Sequence, residues 1–305
     1  MWSTYAFGSV NSILSSEPKI MILQQLKIYF SNELSGIYPS EESNSFFTIL
    51  GRKYLGISRL EAALKPDINI SEAILEKFIK AINRLKNFEP IQYIVGETEF
   101  YGLLFQVNEH TLIPRPETEE LVDWIFDDYK IGAIKSLNIL DIGTGSGCIA
   151  ISLEKYLKNS RVDALDISAE AINVAKLNAA NCNSHVSFIH QDILNVKSLP
   201  KQYDLIVSNP PYVRENERTK MAANVLRYEP ESALFVSDED PLVFYRTIAK
   251  LGWNALAIGG LLYLEINEYL SMDLVKMLRD EGYMDVVVKK DIFGKDRMIK
   301  CSKNE

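Results

Sequence analysis

Apolar residues recur at helical spacing from Ile20 to about Lys86: Ile22, Leu26 and Phe30, then Phe46, Phe47, Leu50 and Tyr54, then Ile74, Phe78, Ile82 and Leu85. Steps of three and four put each set on one face of a helix. Ser71, ahead of Glu72, supplies an N-cap. The pattern predicts a small helical bundle over residues 21–88. At Pro90 the texture changes. Ile91–Val95 and Phe100–Val107 are short β-prone runs separated by polar residues and Gly96, and they predict a β-hairpin over residues 89–112 that links the bundle to a second domain. Glu117–Tyr129 reads as a helix.

Beyond it, strands and helices alternate. The predicted strands are Leu137–Ile142, Arg161–Asp166, Val186–His190, Leu205–Asn209, Gly260–Ile266, Met284–Lys289 and Arg297–Cys301. Helices fit at Gly147–Leu157, Ala169–Asn178, Pro241–Trp253 and Tyr269–Glu281. This is the order of an α/β fold: a doubly wound, seven-stranded, mostly parallel sheet over residues 113–305, whose ligands sit beyond the carboxyl ends of the strands.

Composition narrows the function classes. A chain of 305 residues, 47% apolar and 24% charged, is an ordinary globular protein of about two domains. The net charge of −8 divides unevenly: residues 1–86 carry 10 Lys/Arg against 8 Asp/Glu, leaving −10 on the remainder. An acidic larger half argues against a broad nucleic-acid surface. Cys148, Cys182 and Cys301 form no CxxC pair and read as reduced thiols of a cytoplasmic protein. No apolar run reaches the roughly 20 residues that span a bilayer. Met1–Ser16 lacks a basic n-region and a clear cleavage site, and residues 1–20 read as an extension. His110, His185 and His190 have no metal-ligand spacing and read as surface or strand-end residues, and no metal site is expected.

Leu140-Asp141-Ile142-Gly143-Thr144-Gly145-Ser146-Gly147 puts a glycine-rich turn between the first sheet strand and a helix. Glycine there lets a ligand approach the backbone, although a plain tight turn has the same sequence. A dinucleotide fingerprint needs Gly where Cys148 stands, and a P-loop needs a Lys-Ser/Thr pair that is missing. The second strand ends at Asp166, placed to take both hydroxyls of a ribose. The third ends at Gln191-Asp192-Ile193, where an acid accepts from an adenine amine and an apolar side chain covers the ring. Together these ends describe a nucleoside site without phosphate-binding features. S-adenosylmethionine fits it better than any nucleotide.

Asn209-Pro210-Pro211-Tyr212 ends the apolar run Tyr203–Ser208. Proline has no N–H, so the chain offers bare carbonyls, an Asn amide and a ring. Such a site suits a planar NH2 group held by both hydrogens. A strand followed by a proline turn is the alternative on these four residues alone.

At this point the chain resembles the class I S-adenosylmethionine-dependent methyltransferases with their Rossmann-like fold, and among them the PrmC/HemK family of protein-(glutamine-N5) methyltransferases. The resemblance spans nearly all of residues 21–305. It rests on Gln92-Tyr93-Ile94-Val95-Gly96, Glu99-Phe100-Tyr101-Gly102, Ile113-Pro114-Arg115-Pro116-Glu117-Thr118-Glu119, Asp141–Gly147, Asn209–Tyr212, Glu229-Pro230 with Ala233-Leu234, and Asp291-Ile292-Phe293-Gly294-Lys295-Asp296-Arg297. The glycine loop and Asn-Pro-Pro-Tyr are shared across amino methyltransferases, whereas the hairpin motif and Ile113–Thr118 are more restrictive. The chain departs from the pattern at Val236-Ser237 and Asp240-Pro241, where relatives often carry Gly-Gly and Asp-Gly, and at Ile193, where some carry Trp.

The resemblance implies methyl transfer from S-adenosyl-L-methionine to a glutamine side-chain nitrogen of peptide chain release factors, in the cytoplasm, by a monomer that uses neither nucleic acid nor membrane. It assigns the cofactor to Asp141, Gly143, Thr144, Gly145, Ser146, Gly147, Asp166, Asp192, Ile193 and Asn209. Asn209, Pro210 and Tyr212 are the expected catalytic residues. With Pro211, Phe100, Arg115 and Glu117 they are also expected to contact the substrate, as is Tyr101, though packing of the hairpin against the sheet would account for Phe100, Tyr101, Arg115 and Glu117 equally. The helical bundle is expected to dock the protein substrate, and as a plain stabilising subdomain it would have the same sequence. Rival readings are a glutamine methyltransferase of a ribosomal protein, an amino methyltransferase of adenine or guanine in nucleic acid, which would act on a flipped base, and a non-catalytic binding protein on this fold.

Overall fold

The structure, a computed structural model, describes residues 21–129 and 136–304. The expected extension, residues 1–20, lies outside the described residues. The chain divides into two compact units between Val95 and Gly96.

In the first unit, β1 (Met21–Ile22) pairs with β2 (Asn69–Ile70), and around them lie α1 (Leu23–Leu34), α2 (Ser40–Leu55), α3 (Arg59–Leu64), α4 (Glu72–Lys86) and α5 (Ile91–Val95). Helix α4 begins where the sequence puts its cap, with Ser71 Oγ accepting the Ile74 N–H. It buries Phe78, Ala81, Ile82 and Leu85, one stripe at helical spacing. Phe30, Phe47 and Phe78 meet at ring separations of 5.5–6.3 Å in the core of this unit. Ile91–Val95, expected as a strand, is a helix. Its first turn bonds back to the Pro90 carbonyl, and Ile91, Tyr93, Ile94 and Val95 are all buried. Four buried apolar residues around one half-buried Gln92 carry no periodicity that separates helix from strand in so short a run.

The hairpin belongs to the second unit, and only its second strand lies within the later run: β3 (Glu97–Phe100), outside it but for Phe100, pairs with β4 (Leu103–Gln106). Tyr101 and Gly102 form the turn, both with positive φ, 49° and 72°. That matches the right-handed strand twist, and Tyr101 is held in it by hydrogen bonds from its N–H to Glu119 and its hydroxyl to Asp123.

Helix α6 (Pro116–Tyr129) starts on a proline, which needs no N–H there. Then follow β5 (Asn138–Ile142), α7 (Cys148–Tyr156), β6 (Arg161–Asp166), α8 (Ala169–Asn181), β7 (Val186–His190), β8 (Tyr203–Ser208), β9 (Val213–Arg214), α9 (Ala223–Tyr228), α10 (Glu231–Leu234), β10 (Phe235–Val236), α11 (Val243–Ala255), β11 (Leu256–Glu265), α12 (Ser271–Asp280), β12 (Met284–Lys290) and β13 (Asp296–Ser302). The sheet order is β12-β13-β11-β8-β5-β6-β7, with only β13 antiparallel to its neighbours. This is the expected doubly wound, seven-stranded sheet. Its central strands are apolar on both faces because both faces are covered. Ile139 and Val207 pack with α6 and α7, while Leu140 and Ile206 pack with α11 and α12.

Register sets the site. Ile142 of β5 stands beside Leu165 of β6 and Ser208 of β8, and Asp166 stands beside His190 of β7. The four strands therefore end level, and the residues that follow meet at one sheet edge.

Candidate active site

A cavity of about 340 Å³ opens at that edge. It is lined by Gly143, Thr144, Gly145 and Ser146 from the turn after β5, Asp166 from β6, Asp192 and Ile193 from after β7, and Asn209, Pro210 and Pro211 from after β8. Arg115, Thr118, Phe235 and Phe244 complete the wall.

The glycine turn is built from positive-φ positions at Gly143, Gly145 and Gly147. The Gly143 and Thr144 amides donate to the Leu165 carbonyl at 2.8 and 3.0 Å, fastening the turn to β6. A methyl group added at Gly145 would meet nothing within 4 Å, so the backbone there faces open space. Asp141 sits behind the turn, fully buried, its Oδ2 accepting the Thr144 hydroxyl at 2.7 Å. Burial pushes its carboxyl up to about 7. Gly147 does not line the cavity; its Cα abuts α8, where a methyl group would fall 3.1 Å from Ala175 Cβ.

Asp166 accepts the Gly145 amide at 2.8 Å on Oδ2 and the Ser168 amide at 2.9 Å on Oδ1. Each oxygen keeps a second lone pair for a ligand donor. Burial raises its carboxyl, against the pull of these amides. Asp192 takes the Leu194 N–H and the Asn195 amide, and Ile193 beside it is buried.

On the β8 side, Asn209 Nδ2 donates to Thr118 Oγ1 at 3.3 Å, the Thr118 hydroxyl donates to Glu265 Oε2 at 2.7 Å, and the Tyr212 hydroxyl donates to Glu265 Oε1 at 3.0 Å. Glu265 is fully buried at the end of β11, and burial raises its carboxyl while the hydroxyls and Arg297 lower it. Burial raises the Tyr212 phenol far above its usual range, so it stays protonated. Arg115 pairs with Glu229, a buried carboxylate that also takes the Ile113 N–H.

The sequence-predicted residues therefore fall into two groups. Gly143, Thr144, Gly145, Ser146, Asp166, Asp192, Ile193, Asn209, Pro210, Pro211 and Arg115 share one cavity wall. Asp141, Gly147, Tyr212, Phe100 and Glu117 do not line it. Phe100 is a core residue, buried against Phe105 at 6.1 Å, and Tyr101 holds the hairpin turn. For these two, the packing reading is what the geometry supports. His110, read as a surface residue, is at the cavity wall. Sequence reasoning missed Thr118, Glu265, Phe235 and Phe244. Only Thr118 carried a signal, as part of the Ile113–Thr118 motif.

Two family models match: the PrmC N-terminal domain over residues 25–96 and the Methyltransferase small domain over residues 129–249. The Release factor glutamine methyltransferase of Flavobacterium psychrophilum is 46% identical over 283 residues, 92% of this chain and 99% of its own. That of Bacteroides thetaiotaomicron is 46% identical over 282 residues, 92% of this chain and all of its own. The chain belongs to the release factor glutamine methyltransferase family. It is a methyltransferase. Among solved structures, the hMettl16 catalytic domain, determined with a MAT2A 3′UTR hairpin, has 16% identity and a TM-score of 0.52 over 78% of this chain and 84% of its own, a likeness of fold alone.

Proposed function

We propose that this chain transfers a methyl group from S-adenosylmethionine to the side-chain nitrogen N5 of a glutamine in a peptide chain release factor, in the cavity between Gly143 and Pro211. The observation that supports this reading is adjacency. A Cβ at Gly143 would lie 3.8 Å from the Asn209 carbonyl oxygen, so the glycine turn and the Asn-Pro-Pro segment border one space.

The residues present fit the methyl donor. The open backbone at Gly145 admits close approach, Asp166 keeps acceptor capacity for two hydroxyls, Asp192 accepts from a base amine, and buried Ile193 gives an apolar wall. Bound there, S-adenosylmethionine supplies an electrophilic methyl carbon on a sulfonium.

The chain's part is to hold the nucleophile. An amide nitrogen is poor because its lone pair is delocalised into its carbonyl. Asn209 Oδ1 and the Pro210 carbonyl accept its two N–H bonds, raise its electron density and fix its lone pair on the line of attack. Orientation of this kind contributes up to about 7–11 kcal/mol. The Tyr212 hydroxyl, bonded to Glu265, anchors the end of the Asn-Pro-Pro-Tyr segment behind the cavity wall. No base is needed beforehand, since the alkylated nitrogen sheds its proton readily. In this reading the N-terminal helical unit docks the protein substrate. The reaction is cytoplasmic; no described helix is long and apolar enough to cross a membrane.

The test is transfer of labelled methyl to purified release factor, to a release factor with its acceptor Gln replaced by Ala, and to duplex DNA. Label on intact release factor alone is expected. Label on DNA alone, or undiminished label on the Gln-to-Ala protein, overturns the reading.

A further inference from the structure

Resting on that assignment of Asn209, a chain of three hydrogen-bonded groups carries a consequence for the side-chain amide itself. An Asn amide has nearly identical shape in its two flipped states, yet only one presents an oxygen to a substrate NH2 group. Something in the protein has to choose. The Glu265 carboxylate is an acceptor. Both its oxygens are engaged by hydroxyls, Thr118 at 2.7 Å and Tyr212 at 3.0 Å. The single hydrogen of Thr118 is thereby committed to Glu265, and its oxygen faces Asn209 only as an acceptor. Asn209 meets that oxygen with Nδ2, at 3.3 Å.

We propose that Thr118, polarised by Glu265, is the positioning residue that selects the Asn209 amide orientation, leaving Oδ1 as the acceptor for the substrate nitrogen. Thr118 lies in the first turn of α6 and Glu265 at the end of β11, so two elements 147 positions apart in the sequence fix this choice. Both are buried. Burial pushes the Glu265 carboxyl up, while the two hydroxyls and the Arg297 charge pull it down.

Four variants test the relay. Thr118→Val keeps the shape and removes the acceptor; kcat falls about 10²-fold, as for a misplaced reacting group, while S-adenosylmethionine affinity and KM for the protein substrate stay near wild type. Thr118→Ser restores the hydroxyl and most of kcat. Glu265→Gln offers one acceptor to two hydroxyl donors, so one of them must turn. In this variant kcat falls only as far as the Asn209 side-chain NH2 signals shift, that is, as the Gln amide turns toward Thr118 rather than Tyr212; loss of kcat with unmoved signals overturns the relay. In an Asn209→Ala background, Thr118→Val adds no further loss.

A readout independent of any methyl acceptor accompanies the kinetics: the Asn209 side-chain NH2 signals in amide-labelled protein, assigned by their loss in Asn209→Ala. They shift and exchange faster in Thr118→Val and return in Thr118→Ser. If wild type leaves release factor unmethylated while these signals respond as stated, the functional reading falls and the relay stands. If wild type methylates release factor but Thr118→Val keeps wild-type kcat, the relay falls alone. Loss of kcat in Thr118→Val that Ser does not restore, or that comes with equal loss of donor affinity, also overturns it.

Discussion

Asn178 and Gln106 pair as two strands would: the Gln106 N–H donates to Asn178 Oδ1 at 2.7 Å, and Asn178 Nδ2 donates to the Gln106 carbonyl at 2.9 Å. The second Nδ2 hydrogen goes to the Ser146 carbonyl at 2.9 Å. One fully buried amide on α8 thus joins the β4 strand of the hairpin to the glycine turn. Asn178→Leu preserves volume and leaves three backbone groups unpaired, each costing about 1–3 kcal/mol when buried. The expected result is a fall in the urea midpoint together with weaker S-adenosylmethionine binding, because the turn at Ser146 is loosened. Unchanged donor affinity in a destabilised variant would show that the tether serves the fold only.

Asp166 has two tasks in this geometry. It holds the Gly145 amide and, in the functional reading, accepts from the ligand's hydroxyls. Asp166→Ala removes both and is expected to weaken donor binding by tenfold or more, about 1.4 kcal/mol per factor of ten. Asp166→Asn keeps an oxygen for the Gly145 amide and is expected to fall between. Titration calorimetry with S-adenosylmethionine separates the three proteins. Equal affinity for all three would remove Asp166 from the donor site.

Helix α4 and its Ser71 cap were legible because everything that specifies them is local: an oxygen at the N-cap and apolar residues at steps of three and four. The parallel strands were legible as unbroken apolar runs, and the level ends of β5, β6, β7 and β8 turn four local features into one cavity wall. What sequence order conceals is pairing across distance. Thr118 and Glu265 are 147 positions apart, and neither has a periodic neighbour that betrays the other. The excursion from β9 to β10 is similar: two residues of parallel pairing, Val213 with Phe235 and Arg214 with Val236, return Phe235 to the cavity. The helix at Ile91–Val95 was misread because five residues, four of them buried, are too short to show the period that separates helix from strand.

Two glycines of one turn are expected to respond differently to alanine. At Gly147, φ is +83° and the new methyl would stand 3.0 Å from Ile151 Cδ1 and 3.1 Å from Ala175 Cβ. Left-handed strain and overpacking between α7 and α8 together cost about 2–6 kcal/mol. At Gly145, φ is +53° and the methyl meets open space at the cavity wall. There only the strain remains, about 1–3 kcal/mol, and the methyl competes with bound ligand. Gly147→Ala should lower the melting temperature more, and Gly145→Ala should lower donor affinity more for each degree lost. The reverse ranking would mean that the turn relaxes as a unit.

Asp141 gives the fold a pH dependence of definite sign. Burial holds its carboxyl at about 7 against an ordinary 3.8, although the Thr144 hydroxyl and the Ala150 amide favour the charge. A group raised in this way binds its proton more tightly folded than unfolded. Between about pH 4 and pH 7 the folded protein keeps the proton and the unfolded chain has lost it. The contribution of Asp141 to stability therefore declines as pH rises through that window and is level above it. Asp141→Asn carries no titrating group and still offers an oxygen to Thr144. Urea midpoints of the two proteins, measured across the window, should diverge in favour of Asp141→Asn as pH rises and run parallel above about pH 7. Parallel midpoints throughout would mean that Asp141 is ionised at every pH tested, and that the charge behind the glycine turn is permanent.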